Sequence, residues 1–140
     1  MDPALFNPVD FDAAQWVAAA MAGGAGYLML TAKHHDGFCL WPTHTSPHNL
    51  RAGPWRGGRG EVVGELAEAC HAAGLPFGLY LSPWDAYAYH TLKLTDAEYD
   101  RYYMQQLTEL LSSYGEVCEV WWDGAGSPYA RFAILLSAIW

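Results

Sequence analysis

The sequence predicts an α/β fold with a parallel sheet, on three observations. Short apolar runs at residues 27–32 (YLMLTA), 76–82 (PFGLYLS) and 117–122 (VCEVWW) are each followed by residues of a different, more polar character. Between the runs lie long stretches in which apolar residues recur at helical spacing. The connections are therefore crossovers rather than hairpin turns, and helical crossovers join parallel strands. A short continuous apolar run of this kind reads as a strand buried on both faces.

The first helix is predicted to start at Asp10 or Asp12, either of which offers a carboxylate to the free N–H groups of a first turn. Trp16, Val17, Ala20 and Met21 then recur on one face, and Gly23-Gly24 stops it. The first strand follows and opens into Lys33-His34-His35-Asp36-Gly37. From about His44 to Gly60 the chain is rich in Pro, Gly, His and Arg without a period, which reads as a long loop. Val62, Val63, Leu66, Ala69 and Cys70 mark a second helix closed by Gly74. The second strand leads into Pro83-Trp84-Asp85. Thr95-Asp96-Ala97-Glu98 matches a capping box, and Tyr99, Tyr102, Tyr103, Gln106, Leu107 and Leu110 trace the third helix to Tyr114-Gly115. The third strand finishes at Asp123-Gly124.

Composition excludes several functions. The 140 residues are 52% apolar and 16% charged, a globular composition of single-domain size. Seven Lys and Arg against fifteen Asp and Glu give a net charge of −8, so no nucleic-acid partner is expected. No run approaches ~18 apolar residues, so no membrane span is expected. The first six residues lack the basic start and apolar core of a secretory signal, and the compartment stays open. Cys39, Cys70 and Cys118 are far apart and form no Cys-x-x-Cys pair, which reads as buried reduced thiols. Gly57-Gly58-Arg59-Gly60 lacks both a preceding strand and the Lys-Ser/Thr of a phosphate loop.

Parallel sheets bind ligands at the carboxyl ends of their strands. Here those ends carry His34, His35 and Asp36, then Ser82, Trp84 and Asp85, then Asp123. Neighbouring residues on a straight strand point to opposite faces, so His34 and His35 converge only if the backbone turns there. They could then both donate hydrogen bonds to ligand hydroxyls. The bland alternative for Asp36-Gly37 and Asp123-Gly124 is a chain-reversing turn. At Asp123 the adjacent Trp121 and Trp122 tip the balance, because aromatic walls suit the CH face of a carbohydrate. A retaining glycosidase needs one ionised carboxylate as nucleophile and one protonated acid, and Asp123 suits the first role. A metal site on His34, His35 and Asp36 is the alternative, disfavoured because barrel metal sites draw ligands from several strand ends.

Residues 32–42 (AKHHDGFCLWP), 78–85 (GLYLSPWD) and 120–125 (VWWDGA) resemble successive strand ends of the α-L-fucosidase family of retaining glycoside hydrolases. Residues 6–12 (FNPVDFD) are similar to that family's lead-in to the helix before the first of these strands. The resemblance runs from about residue 5 to 127. It implies a partial (β/α)8 TIM-type barrel of about three β-α units, acting on a fucosylated glycan or small fucoside, with no metal or organic cofactor. It implies Asp123 as the nucleophile, His34 and His35 on the fucose hydroxyls, and Tyr80 lining the sugar subsite. Trp41, Trp84 and Trp122 are the expected sugar-facing aromatics, with barrel packing as the ordinary alternative for each.

The family pattern also has an earlier strand whose histidine and tryptophan touch the sugar, and a general acid/base after the nucleophile strand. The sequence matches neither, and no Asp or Glu follows Asp123. Residues 1–127 are therefore expected to be part of a catalytic barrel, 128–140 an atypical apolar tail, and this chain by itself inactive. The rival readings are a non-catalytic carbohydrate-binding remnant and a metal-dependent barrel hydrolase.

Overall fold

The structure, a computed structural model, describes residues 1–121 and 123. Trp122 and the tail at 128–140 lie outside the described residues. The elements run α1 (Ala13–Ala22), β1 (Leu28–Lys33), α2 (Val62–Ala73), β2 (Phe77–Leu81), α3 (Asp96–Ser113) and β3 (Glu119–Trp121). The three strands form one parallel sheet in the order β1-β2-β3, the α/β arrangement expected from the sequence.

Each helix starts where a side chain can take up its orphan N–H groups. Asp12, not Asp10, caps α1 by accepting from the Gln15 N–H at 3.0 Å. Glu61 caps α2 through the Gly64 N–H at 3.3 Å. At α3 the capping box is reciprocal: the Thr95 hydroxyl accepts from the Glu98 N–H, and the Glu98 carboxylate accepts from the Thr95 N–H at 2.8 Å. Caps of this kind contribute about 1 kcal/mol each.

The helices cover one face of the sheet. Leu30 and Leu79 are cross-strand partners and share a core with Val63, Leu66 and Tyr103. The other face carries Thr31, Tyr80 and Trp121, also cross-strand partners, and there Thr31 and Trp121 are exposed. The central strand β2 is buried throughout. The third strand corrects the expectation of two-sided burial: Glu119 and Trp121 are exposed and Val120 is half-buried. Among the described residues β3 has a neighbouring strand on one side only. Cys118, just before it, is exposed while Cys39 and Cys70 are buried, so the expectation of three buried thiols holds for two of them.

The stretch at 44–60 is anchored rather than open. Asn49 is buried and acts as its hub, donating to the carbonyls of Ser46 (2.6 Å) and Thr43 (3.3 Å) and accepting from the Arg51 N–H (2.8 Å). One amide side chain there replaces the backbone pairing that a loop lacks. A π-helical turn at Ala88–Leu92, between β2 and α3, was not legible in the sequence.

Candidate active site

The site begins with an irregularity in β1. Its register with β2 is regular from Leu28–Phe77 to Thr31–Tyr80, then shifts so that Lys33, not Ala32, stands opposite Leu81. Ala32 and Lys33 thus both turn away from the open face, and both are fully buried. The following residue, His34, returns to the Tyr80 face and stacks on the Tyr80 ring at 5.7 Å and 24°. The His35 ring lies 4.2 Å from that of His34, and its Nδ1 is 3.5 Å from the Ser82 hydroxyl. The backbone turn that strand periodicity required is present, and the two histidines converge.

Tyr80 and Trp121 are cross-strand partners, and Asp123 comes two residues after Trp121. The Tyr80 hydroxyl donates to Asp123 Oδ2 at 3.3 Å. Burial pushes the Tyr80 hydroxyl above its ordinary pKa; the Ser82 hydroxyl pulls it down and the Asp123 carboxylate pushes it up. It is therefore a donor over the whole neutral and mildly alkaline range.

His34, His35, Tyr80 and Asp123 are brought together. Of the expected tryptophans, Trp122 lies outside the described residues. Trp84 is half-buried and stacks on Tyr89 at 4.9 Å and 14°, with His90 edge-on at 6.1 Å. Trp41 corrects its expectation: it is 1% exposed and its indole N–H donates to Glu109 at 2.8 Å, which makes it part of the packing against α3. Among the described residues, the tryptophan that meets the group is Trp121, edge-on to Tyr80 at 5.5 Å. The sequence itself sets it beside Asp123 together with Trp122, without choosing between the two.

Sequence reasoning also missed Lys33 and placed Asp85 among the reactive strand-end residues. Both are fully buried behind the sheet. The Lys33 ammonium sits 2.9 Å from Asp85 Oδ2 and 2.8 Å from Gln106 Oε1, with the rings of Tyr102 and Tyr103 each 5.4 Å away. Asp85 Oδ2 also accepts from the Tyr102 hydroxyl (3.1 Å), and its Oδ1 from the Ala88 N–H (2.8 Å). Charges at this depth are tolerable because each is paired and further hydrogen-bonded. Among the described residues no group of three His, Cys, Asp or Glu side chains is placed to hold a metal ion. No helix among them is long and apolar enough to cross a membrane.

The family sequence model described as Alpha-L-fucosidase matches residues 3–134. The chain belongs to the alpha-L-fucosidase family. Alpha-L-fucosidase 1 of Arabidopsis thaliana is 49% identical over 124 residues, a match covering 89% of this chain and 24% of that protein. A glycoside hydrolase 29 family member from an unknown rumen bacterium has a crystal structure 46% identical, with a TM-score of 0.80 over 89% of this chain and 22% of that one. The alpha-L-fucosidase AlfC from Lactobacillus casei, crystallised with its alpha-L-fucose product, is 34% identical, with a TM-score of 0.73 over 84% and 43% of the two chains. The chain spans about a quarter of the length of the curated relatives it matches. All four grouped residues of this fucosidase-family chain fall inside the matched segment.

Proposed function

We propose that this chain contributes three β-α units of a (β/α)8 barrel in a retaining α-L-fucosidase, with Asp123 as the nucleophile. The observation that carries the reading is the Tyr80 hydroxyl donating to Asp123 Oδ2 at 3.3 Å beside the converged His34–His35 pair. The Asp123 carboxylate would attack the anomeric carbon, and the aglycone oxygen would leave with a proton from a general acid. Water would then release fucose with net retention. Tyr80 holds the carboxylate oriented. His34 and His35 offer ring N–H donors to sugar hydroxyls, and Trp121 offers an apolar edge. The substrate class is a terminal α-L-fucosyl residue of a glycan or a small fucoside, supported by the fucose product bound in the L. casei relative. No metal or organic cofactor enters this scheme.

The test replaces the matched segment of a full-length relative with residues 3–123 of this chain and follows hydrolysis of an aryl α-L-fucoside. Asp123→Ala is expected to lower turnover by orders of magnitude, with azide partly restoring it by taking the nucleophile's place. Near-normal turnover by the variant without azide would remove Asp123 from this role.

A further inference from the structure

We infer that the buried Lys33–Asp85 pair is a positioning device for the His34–His35 turn. Lys33 is one peptide bond from His34, yet the register shift sends its side chain to the opposite side of the sheet, where Asp85 and Gln106 hold it. Asp85 grips the far side of the same turn. Gly37 has φ +81°, and a Cβ there would overlap Asp85 Oδ1. Only glycine both adopts that backbone and leaves room for the carboxylate. The backbone is stitched alongside: the Ser82 N–H donates to the Lys33 carbonyl at 3.0 Å, and the Ala86 N–H to the His35 carbonyl at 2.9 Å. The carboxylate thus fixes the residue before the histidines and the glycine after them.

Filling the space needs no charge, since apolar side chains of similar volume usually serve as well or better for stability. An ammonium between two acceptors adds direction. It sets the rotation of the chain at Lys33, and with it the side on which His34 emerges against Tyr80.

The test uses the six histidines as reporters, by imidazole NMR on the 140-residue chain, with His34→Gln and His35→Gln to assign the two signals. Lys33→Met and Asp85→Asn are each expected to displace the His34 signal, which feels the Tyr80 ring, and the His35 signal, which feels the His34 ring, while the His71 signal stays put. The double variant Lys33→Met/Asp85→Asn leaves no unpaired charge buried. It should melt close to the parent yet keep both signals displaced, which separates positioning from simple charge balance. Signals back at the parent positions in the double variant would overturn the inference. If the charge variants do not fold, Tyr102→Phe removes one hydrogen bond to Asp85 and no packing. It should shift the same two signals by less, and unmoved signals would again overturn the inference.

The catalytic consequence rests on the proposed fucosidase reading. In the grafted enzyme the double variant should lose about 100-fold in kcat at unchanged melting temperature, the usual effect of a small misplacement of binding groups. An inactive parent graft counts against the fucosidase reading alone, because the ring signals decide the positioning role without substrate.

Discussion

One hydroxyl that holds Asp123 can be removed by itself. Tyr80→Phe removes the O–H and keeps the ring that stacks on His34 and meets Trp121. Hydrogen bonds to charged groups contribute about 1.5–3 kcal/mol, so kcat/KM of the grafted enzyme should fall about 10–100-fold. Burial raises the Tyr80 pKa, so the hydroxyl keeps its proton to higher pH than an ordinary tyrosine. Any alkaline limb of kcat/KM that disappears in Tyr80→Phe should therefore lie above the ordinary tyrosine range; one lying below it would contradict the raised pKa. That His34, His35 and Asp123 share one edge of the sheet was legible from the strand ends, whereas Tyr80 entered by the resemblance alone. Trp41 was misassigned because an indole suits a core and a sugar equally, and only packing decides between them. Lys33 was missed for another reason: its partners are 52 and 73 residues away in the chain.

Among the elements, α2 carries a cap that the sequence concealed, since glutamate is an uncommon N-cap. Burial pushes the Glu61 carboxyl up to about 7, against the downward pull of the Gly64 N–H and the Tyr114 hydroxyl, with the Glu65 carboxylate adding to the rise. A carboxyl raised above its unfolded value of 4.5 gives the folded state stability that is fully present below pH 4.5 and lost as pH rises through 7. Glu61→Gln removes that dependence. Denaturant midpoints of the two proteins should therefore move in the variant's favour between pH 4.5 and 7 and run parallel above it. A constant offset across that window would show that Glu61 titrates normally. By contrast the α3 capping box was readable, because both halves of its reciprocal bond lie within four residues. The register shift in β1 and the π-helical turn were not, because each answers to contacts made across the sheet.

At the scale of the whole molecule, the parallel order of the strands was legible because crossovers longer than a hairpin leave little choice. Burial of the third strand was not, because VCEVWW reads the same whether or not something covers it. The proposed chemistry makes a demand on the molecule as a whole: a second carboxyl group roughly 5 Å from the nucleophile. Glu119 lies at the start of β3, four residues before Asp123 in the chain. Asp85 is sealed behind the sheet, and no Asp or Glu follows Asp123. The isolated 140-residue chain is therefore expected to show no steady turnover of an aryl α-L-fucoside. Turnover abolished by Asp123→Ala would show that an acid within this chain reaches the bond.

The order β1-β2-β3 has a kinetic consequence for Tyr80 and Asp123. Tyr80 lies on the strand that is bonded to a neighbour along both edges, whereas Asp123 comes two residues after one that, among the described residues, is bonded along a single edge. In deuterated water the amides of Phe77–Leu81 should exchange only on global opening, and those of Glu119–Trp121 through smaller, far more frequent openings. The donor is moored while its acceptor rides at the margin, so the 3.3 Å hydrogen bond between them should form and break at the tempo of β3.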